Sequence, residues 1–231
     1  MTAMKQILLM IAVVMGQSVL AADVVINDPI VRDIVAKLLN KPHGKFAPPL
    51  KLNEKDLANF TKLNLRGMAR ITDAGLKDVA RLSNLTYLDL GYNQITDEGL
   101  KEVAKLQKLE VLFLIGTKIT DAGLKDVAKL QKLKILDLHG PKITDAGLKD
   151  VAKLQNLTNL NLTSTQITDA GLKEVTKLQN LTRLHLSFTK ITDAGLKDLA
   201  KLQNITGLSL ATTQITDAGL KDLAKLKKLE Q

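Results

Sequence analysis

Leu85-Thr86-Tyr87-Leu88-Asp89-Leu90-Gly91-Tyr92-Asn93-Gln94-Ile95-Thr96-Asp97-Glu98-Gly99-Leu100-Lys101-Glu102-Val103-Ala104-Lys105-Leu106-Gln107-Lys108 is one turn of a pattern that fills most of the chain. Leu88 and Leu90 alternate with Tyr87, Asp89 and Gly91, a period of two that belongs to a short strand. Leu100, Val103, Ala104 and Leu106 then follow the spacing of one helix face. Thr96 stands where an N-cap belongs, and Asp97 falls in the first turn, where negative charge suits the helix dipole. Gly99 costs helix propensity. Its recurrence predicts a place where a side chain would collide with the neighbouring unit.

The pentapeptide Ile-Thr-Asp-Ala-Gly begins at Ile71, Ile119, Ile143, Ile167, Ile191 and Ile215, and at Ile95 with Glu98 in place of alanine. Every interval is 24 residues or a multiple of it. A fixed period of this size predicts a solenoid of stacked coils. One coil alone cannot cover both of its sides, so stability resides in the contacts between neighbours. Phe60, Leu63 and Leu65 take the strand positions of the first coil, with one extra residue before Ile71.

The unit resembles the leucine-rich-repeat family, whose pattern L-x-x-L-x-L-x-x-N/T-x-I/L runs from Leu85 to Ile95 and returns every 24 residues. The Ile-Thr-Asp-Ala-Gly-Leu-Lys half is similar to bacterial secreted members of that family, and to the repeats that follow an F-box in ubiquitin-ligase adaptors. The resemblance implies an α/β leucine-rich-repeat solenoid, a right-handed horseshoe arc with a parallel concave sheet and helices on the convex side. At the ninth position the family often carries an Asn that bonds neighbouring backbone. Only Asn93 matches; Thr117, Thr165, Thr189 and Thr213 substitute, and Pro141 predicts a local kink.

Three segments are expected: an export signal over 1–21, an N-terminal cap over 22–59, and about seven 24-residue repeats over 60–231. Lys5 precedes the uninterrupted apolar run from Ile7 to Met15, too short to span a bilayer, and Val19-Leu20-Ala21 offers small residues for cleavage. Such a signal directs the protein to a secreted or periplasmic location and leaves no transmembrane segment in the mature chain. In the cap, Asp28-Pro29 starts a helix with Ile30, Val31, Ile34, Val35, Leu38 and Leu39 on its apolar face. Asn40-Lys41-Pro42 stops it, and a second short helix is expected near Glu54–Asn59. No polar C-terminal cap is legible after the last helix.

Composition narrows the function. With no cysteine, disulfides, zinc thiolates and cysteine nucleophiles are excluded. The net charge of +9 raises nucleic acid as a partner. Yet the lysines recur on the helices beside acidic residues, as in Glu102 with Lys105, without interleaved aromatics, and nucleic-acid binding is not expected. No catalytic motif, cofactor site or metal site is expected.

The coils differ most at the outward strand positions. Tyr87, Asp89, Val111, Phe113, Ile115, Ile135, Asp137, His139, Asn159, Asn161, Arg183 and His185 lie there, with Tyr92 and Phe188 one residue further on. Val111, Phe113, Ile115 and Ile135 predict an exposed apolar patch at mid-sheet, of the kind that a partner covers. Seven strands by three columns make a face about 29 by 13 Å. That is about 380 Å2, below the roughly 800 Å2 per partner of a standard interface, so a protein partner must also touch the loops, or be a small domain or an extended segment. An oligosaccharide fits the size as well. The expected function is an exported, non-enzymatic recognition module that binds a protein by its concave face. The alternatives are a structural envelope protein without a specific ligand and an F-box-type ubiquitin-ligase adaptor.

Overall fold

The computed structural model describes residues 23–44, 47–67 and 71–230. The expected export signal lies outside them. From Lys62 onward, strand and helix alternate: β3 (Lys62–Asn64), α3 (Asp73–Val79), β4 (Tyr87–Asp89), α4 (Asp97–Val103), β5 (Val111–Phe113), α5 (Asp121–Val127), β6 (Ile135–Asp137), α6 (Asp145–Val151), β7 (Asn159–Asn161), α7 (Asp169–Val175), β8 (Arg183–His185), α8 (Asp193–Leu199), β9 (Gly207–Ser209) and α9 (Asp217–Leu223). The strands form one parallel seven-stranded sheet in sequence order. Adjacent strands pair at an offset of 24 residues, as in Tyr87 with Val111. The exception is the first pair, Lys62 with Tyr87, offset by 25. By Ile71, whose carbonyl accepts from Gln94 N, the 24-residue phase is restored. The extra residue expected before Ile71 accounts for that first offset.

The core is a column of Leu, Ile and Val continuous from Ile26 to Leu226. Leu88, Leu90, Ile95, Leu100 and Leu106 are fully buried, and their equivalents two coils on, Leu136, Leu138, Ile143, Leu148 and Leu154, are at most 2% exposed. Burying one such side chain is worth about 1.5–3 kcal/mol. The helices are shorter than the apolar spacing predicts: α4 ends at Val103, and Leu106 belongs to the turn that follows. At that end Gln107 Nε2 donates to Ala104 O at 2.6 Å, although the helices Asp73–Val79 and Asp217–Leu223 stop at the same repeat position with Ser83 and Lys227 in its place. Gln131, Gln155 and Gln203 cap Ala128, Ala152 and Ala200 in the same way.

Polar bonds between coils repeat as strictly as the core. Asp97 Oδ1 accepts from Thr120 N at 2.8 Å, and its Oδ2 from the Thr120 hydroxyl at 2.6 Å. Asp73, Asp121, Asp145, Asp169 and Asp193 hold Thr96, Thr144, Thr168, Thr192 and Thr216 identically. Each of these threonines is also an N-cap that accepts from the amide two residues on. The aspartate thus serves the next coil as well as its own helix dipole. The recurrent glycine follows from this bond. A Cβ on Gly99 would overlap Asp73 Oδ1 and lie 2.7 Å from Leu76 Cδ1, which is the collision the sequence predicted. A second ladder uses the Asn-Leu-Thr segments: Asn156 Nδ2 donates to Gln131 O and the Thr158 hydroxyl to Lys134 O, both in the preceding coil.

The N-terminal segment differs from the purely helical cap expected. It contains β1 (Val24–Ile26), α1 (Pro29–Leu38), β2 (Leu50–Leu52) and α2 (Glu54–Asn59). β1 and β2 pair antiparallel and bury Ile26, Leu50 and Leu52. Both helices match the sequence reading, with α1 capped by the Asp28 carboxylate and α2 by an Asn53–Asp56 capping box. The Asp78 carboxylate of the first coil accepts from Asn27 N and Asp28 N, tying the segment to the repeats. One member of the expected apolar face, Leu38, is instead 57% exposed.

Pro141 leaves the sheet in register, since β5, β6 and β7 keep the 24-residue offset. The distortion is local. Beside the proline, Gly116 N reaches His139 O and Gly140 N reaches Thr163 O at 3.3 Å, against 2.8 Å for the equivalent Tyr92 N to Ile115 O. The Asn ladder is also absent where threonine replaces Asn93. Asn93 Nδ2 crosses to Leu65 O of the preceding coil, whereas the Thr117, Thr165 and Thr189 hydroxyls close on carbonyls of their own coils.

Candidate functional site on the concave strand face

Parallel pairing in fixed register sets the expected residues in columns. Tyr87, Val111, Ile135, Asn159 and Arg183 form one; Asp89, Phe113, Asp137, Asn161 and His185 form the next. The structure gathers Phe113, Ile135, Asp137, Asn159, Asn161 and His185 around a central depression of about 260 Å3. Tyr87 and Phe113 extend its apolar side, their rings 5.7 Å apart and tilted by 57°. Burial, helped by Asp89 and opposed by Arg66, holds the Tyr87 hydroxyl above its ordinary pKa and keeps it a neutral donor. Val111, Phe113 and Ile135 are half-buried and Arg183 is exposed. His139 lies apart, in a smaller cavity beside Pro141.

Two expected contact residues are corrected. Ile115 is 8% exposed because it packs over Gly91: a Cβ on that glycine would lie 2.8 Å from Ile115 Cγ2. The apolar patch, expected to be exposed, therefore reduces to Val111, Phe113 and Ile135, all of them half-buried. Asp89 is 3% exposed, its carboxylate accepting from Gly91 N at 2.9 Å with Arg66 Nη1 3.7 Å away. Asp137 and Asn161 make the same bond, to His139 N and Thr163 N, and Asn161 Nδ2 also donates to Asp137 Oδ2 at 3.0 Å. An acid or amide at the end of a strand thus turns the chain into the following loop. The signal was present in the sequence as Asn64, Asp89, Asp137 and Asn161 at one repeat position.

A second feature escapes sequence reading. The position three residues after six of the seven parallel strands is left-handed, with φ between 55° and 65° at Gly67, Tyr92, Gly116, Ser164, Phe188 and Thr212, whereas Gly140 after β6 has φ 156°. Glycine suits that conformation; a bulky side chain there is strained. Yet two of these positions carry aromatics, and Tyr92 and Phe188 are 56% and 58% exposed. Tyr92 has neighbours: the Arg66 guanidinium lies 4.9 Å from its ring centroid, and a Cβ on Gly116 would sit 2.7 Å from Tyr92 Cδ1. Phe188 stands in solvent.

The lysine-rich side is paired as expected. Lys105, Lys129, Lys153, Lys177, Lys201 and Lys225, all exposed, each bind the acid three residues earlier, whose side chain is 5–25% exposed; i,i+3 pairs on a helix are worth about 0.2–0.5 kcal/mol each. Among the described residues, no group of three or more His, Asp or Glu is placed to hold a metal ion, and no helix is long and apolar enough to cross a membrane.

Comparison with known proteins agrees with this architecture. The family described as leucine-rich repeat region matches residues 55–231. Among solved structures, internalin C2 (inlC2) of Listeria monocytogenes is similar at 26% identity and a TM-score of 0.67, covering 92% of this chain and 97% of its own. An internalin (inlF) of the same organism is 30% identical with a TM-score of 0.63, over 77% of this chain and 49% of its own length. The chain thus spans about half of that internalin. No curated protein sequence matches. The repeat, the parallel sheet and the family match together make this chain a member of the leucine-rich-repeat family, a fold commonly used for protein–protein interaction.

Proposed function

We propose that the protein is an exported, non-enzymatic recognition module that binds a protein partner through its concave strand face. The observation that carries this reading is Phe188, a 58% exposed ring in a left-handed conformation that glycine would adopt without strain. Strain kept at an exposed aromatic is the mark of a contact residue rather than of a folding need. Tyr92, at the equivalent position four coils earlier, has the same conformation. Between them lie Val111, Phe113 and Ile135, with Asn159, Arg183 and His185 supplying hydrogen bonds. An apolar centre with polar groups around it is the usual anatomy of a protein interface. Export is supported by the apolar run from Ile7 to Met15 behind Lys5.

Affinity capture from the extracytoplasmic fraction of the native host, followed by mass spectrometry, tests the reading. Wild-type protein is compared with the double variant Phe113→Asp, Ile135→Asp and with Lys125→Glu on the helix side. Loss of the captured partner with the double variant alone is the expected result. Recovery of the same partner by the double variant removes the concave face as the binding site.

A further inference from the structure

The concave face has an end wall. The last turn of α1 brings Ile34, Lys37 and Leu38 beside Lys62, Asn64 and Tyr87 of the first two strands, enclosing a cleft of about 700 Å3. This is larger than the central depression and falls within the roughly 300–1,000 Å3 of ligand sites. Its apolar side is unusual for a surface: Leu38 is 57% exposed although it sits on a helix whose Val31 and Val35 are fully buried. Its rim is cationic. Lys37 and Lys62 line it, and neither enters an ion pair among the described residues. No acidic side chain lines the cleft. Asn64 Oδ1 is used on Arg66 N, which leaves its amide NH2 to donate.

The lining therefore offers an apolar wall with two ammonium groups and further donors, and the nearby Asp89 charge that acts on Tyr87 is paired with Arg66. Its place in the fold says how such a ligand arrives. β3 is the first strand of the sheet, and α1 stands at that edge, so a segment lying along the strand face reaches the cleft last. We propose that the cleft receives the carboxyl-terminal residue of the partner's bound segment. The apolar side chain packs against Ile34, Leu38 and the Tyr87 ring, and the terminal carboxylate meets Lys37 and Lys62. A chain end supplies the apolar group and the charge from one residue; an internal acid supplies the charge alone. The proposal rests on the reading of the strand face as a partner-binding surface and adds the chemistry of the segment's end.

The test is an NMR titration of the 15N-labelled protein with three probes: an acetylated pentapeptide ending in Phe with a free carboxylate, the same peptide as its C-terminal amide, and decanoate. The free acid is expected to shift the amides of Leu38, Lys62, Asn64 and Tyr87. The amide form, and the free acid on the Lys37→Glu, Lys62→Glu variant, are expected to bind at least tenfold more weakly. Leu38→Asp removes binding, and because Leu38 is exposed that variant keeps the wild-type amide spectrum elsewhere. Equal binding of acid and amide, shifts away from the cleft, or none at millimolar peptide overturns the proposal. So does tighter binding of decanoate than of the peptide, which assigns the cleft to a lipid acid. Phe113 and Ile135 lie outside the cleft. A failed titration combined with capture that depends on those two residues refutes the cleft and leaves the strand-face reading standing. Capture that ignores them refutes the strand-face reading.

Discussion

Gly147 shows how one residue type can be imposed by the neighbouring coil. A Cβ there would overlap Asp121 Oδ1 and lie 2.6 Å from Leu124 Cδ1. Helix propensity favours alanine over glycine by about 1 kcal/mol, but overpacking costs about 1–3 kcal/mol. Gly147→Ala is therefore expected to destabilise by about 1–2 kcal/mol in denaturant unfolding. Stabilisation instead would mean that the aspartate moves aside freely. Phe188 is the opposite case. Its left-handed backbone costs about 1–2 kcal/mol, and its exposed ring returns little packing. Phe188→Gly is expected to leave stability unchanged or to raise it by up to about 1 kcal/mol, while partner capture falls. A clear loss of stability would assign the ring to folding. The strain was illegible in the sequence because an aromatic at that position contradicts the conformation it takes. The burial of Ile115 was illegible for a related reason: it depends on Gly91 one coil away, and alternation along a single strand does not report it.

At the scale of the element, the period carried most of the information. Leu88 and Leu90 located a strand, Thr96 its following N-cap, and the 24-residue interval the register of the whole sheet. Helix ends were less legible, because α4 stops at Val103, as its copies stop at the same repeat position, with no breaker residue to mark the place. The antiparallel pair of β1 and β2, which brackets α1, was missed because it has no copies, and three residues per strand give too little alternation to read. The Asp–Thr rung between α8 and α9 has a pH signature. The Thr216 hydroxyl and amide hold the Asp193 carboxylate below its ordinary value of 3.8. Folding thus disfavours protonation, so the contribution of this rung is fully present above pH 3.8 and is lost as pH falls below it. Exchange of the Thr216 amide is expected to accelerate over that acid range, and Asp193→Asn is expected to abolish the dependence. Equal pH dependence in both proteins would place the sensitivity elsewhere.

At the scale of the molecule, each coil supplies the apolar contact that its neighbour lacks, and the strand face is the surface this stacking builds. Position in the stack then sets the cost of a mutation. Leu160→Ala, in a fully buried site, is expected to cost about 2–5 kcal/mol. Leu220→Ala, where the side chain is 48% exposed in the last coil, is expected to fall within about 0.5 kcal/mol of wild type. Denaturant midpoints at constant slope compare the two, and equal losses would contradict a stability that resides between coils. The strand face itself was legible as the place where copies differ, but which of its side chains project from it depended on the third dimension. Hydroxyl-radical footprinting of the protein with its captured partner tests the functional account most directly. Strong protection of Tyr92, Phe113 and Phe188, with Leu220 on α9 reacting as in the free protein, is the predicted result. Unprotected Phe113 and Phe188 beside protected helix-side residues would contradict it.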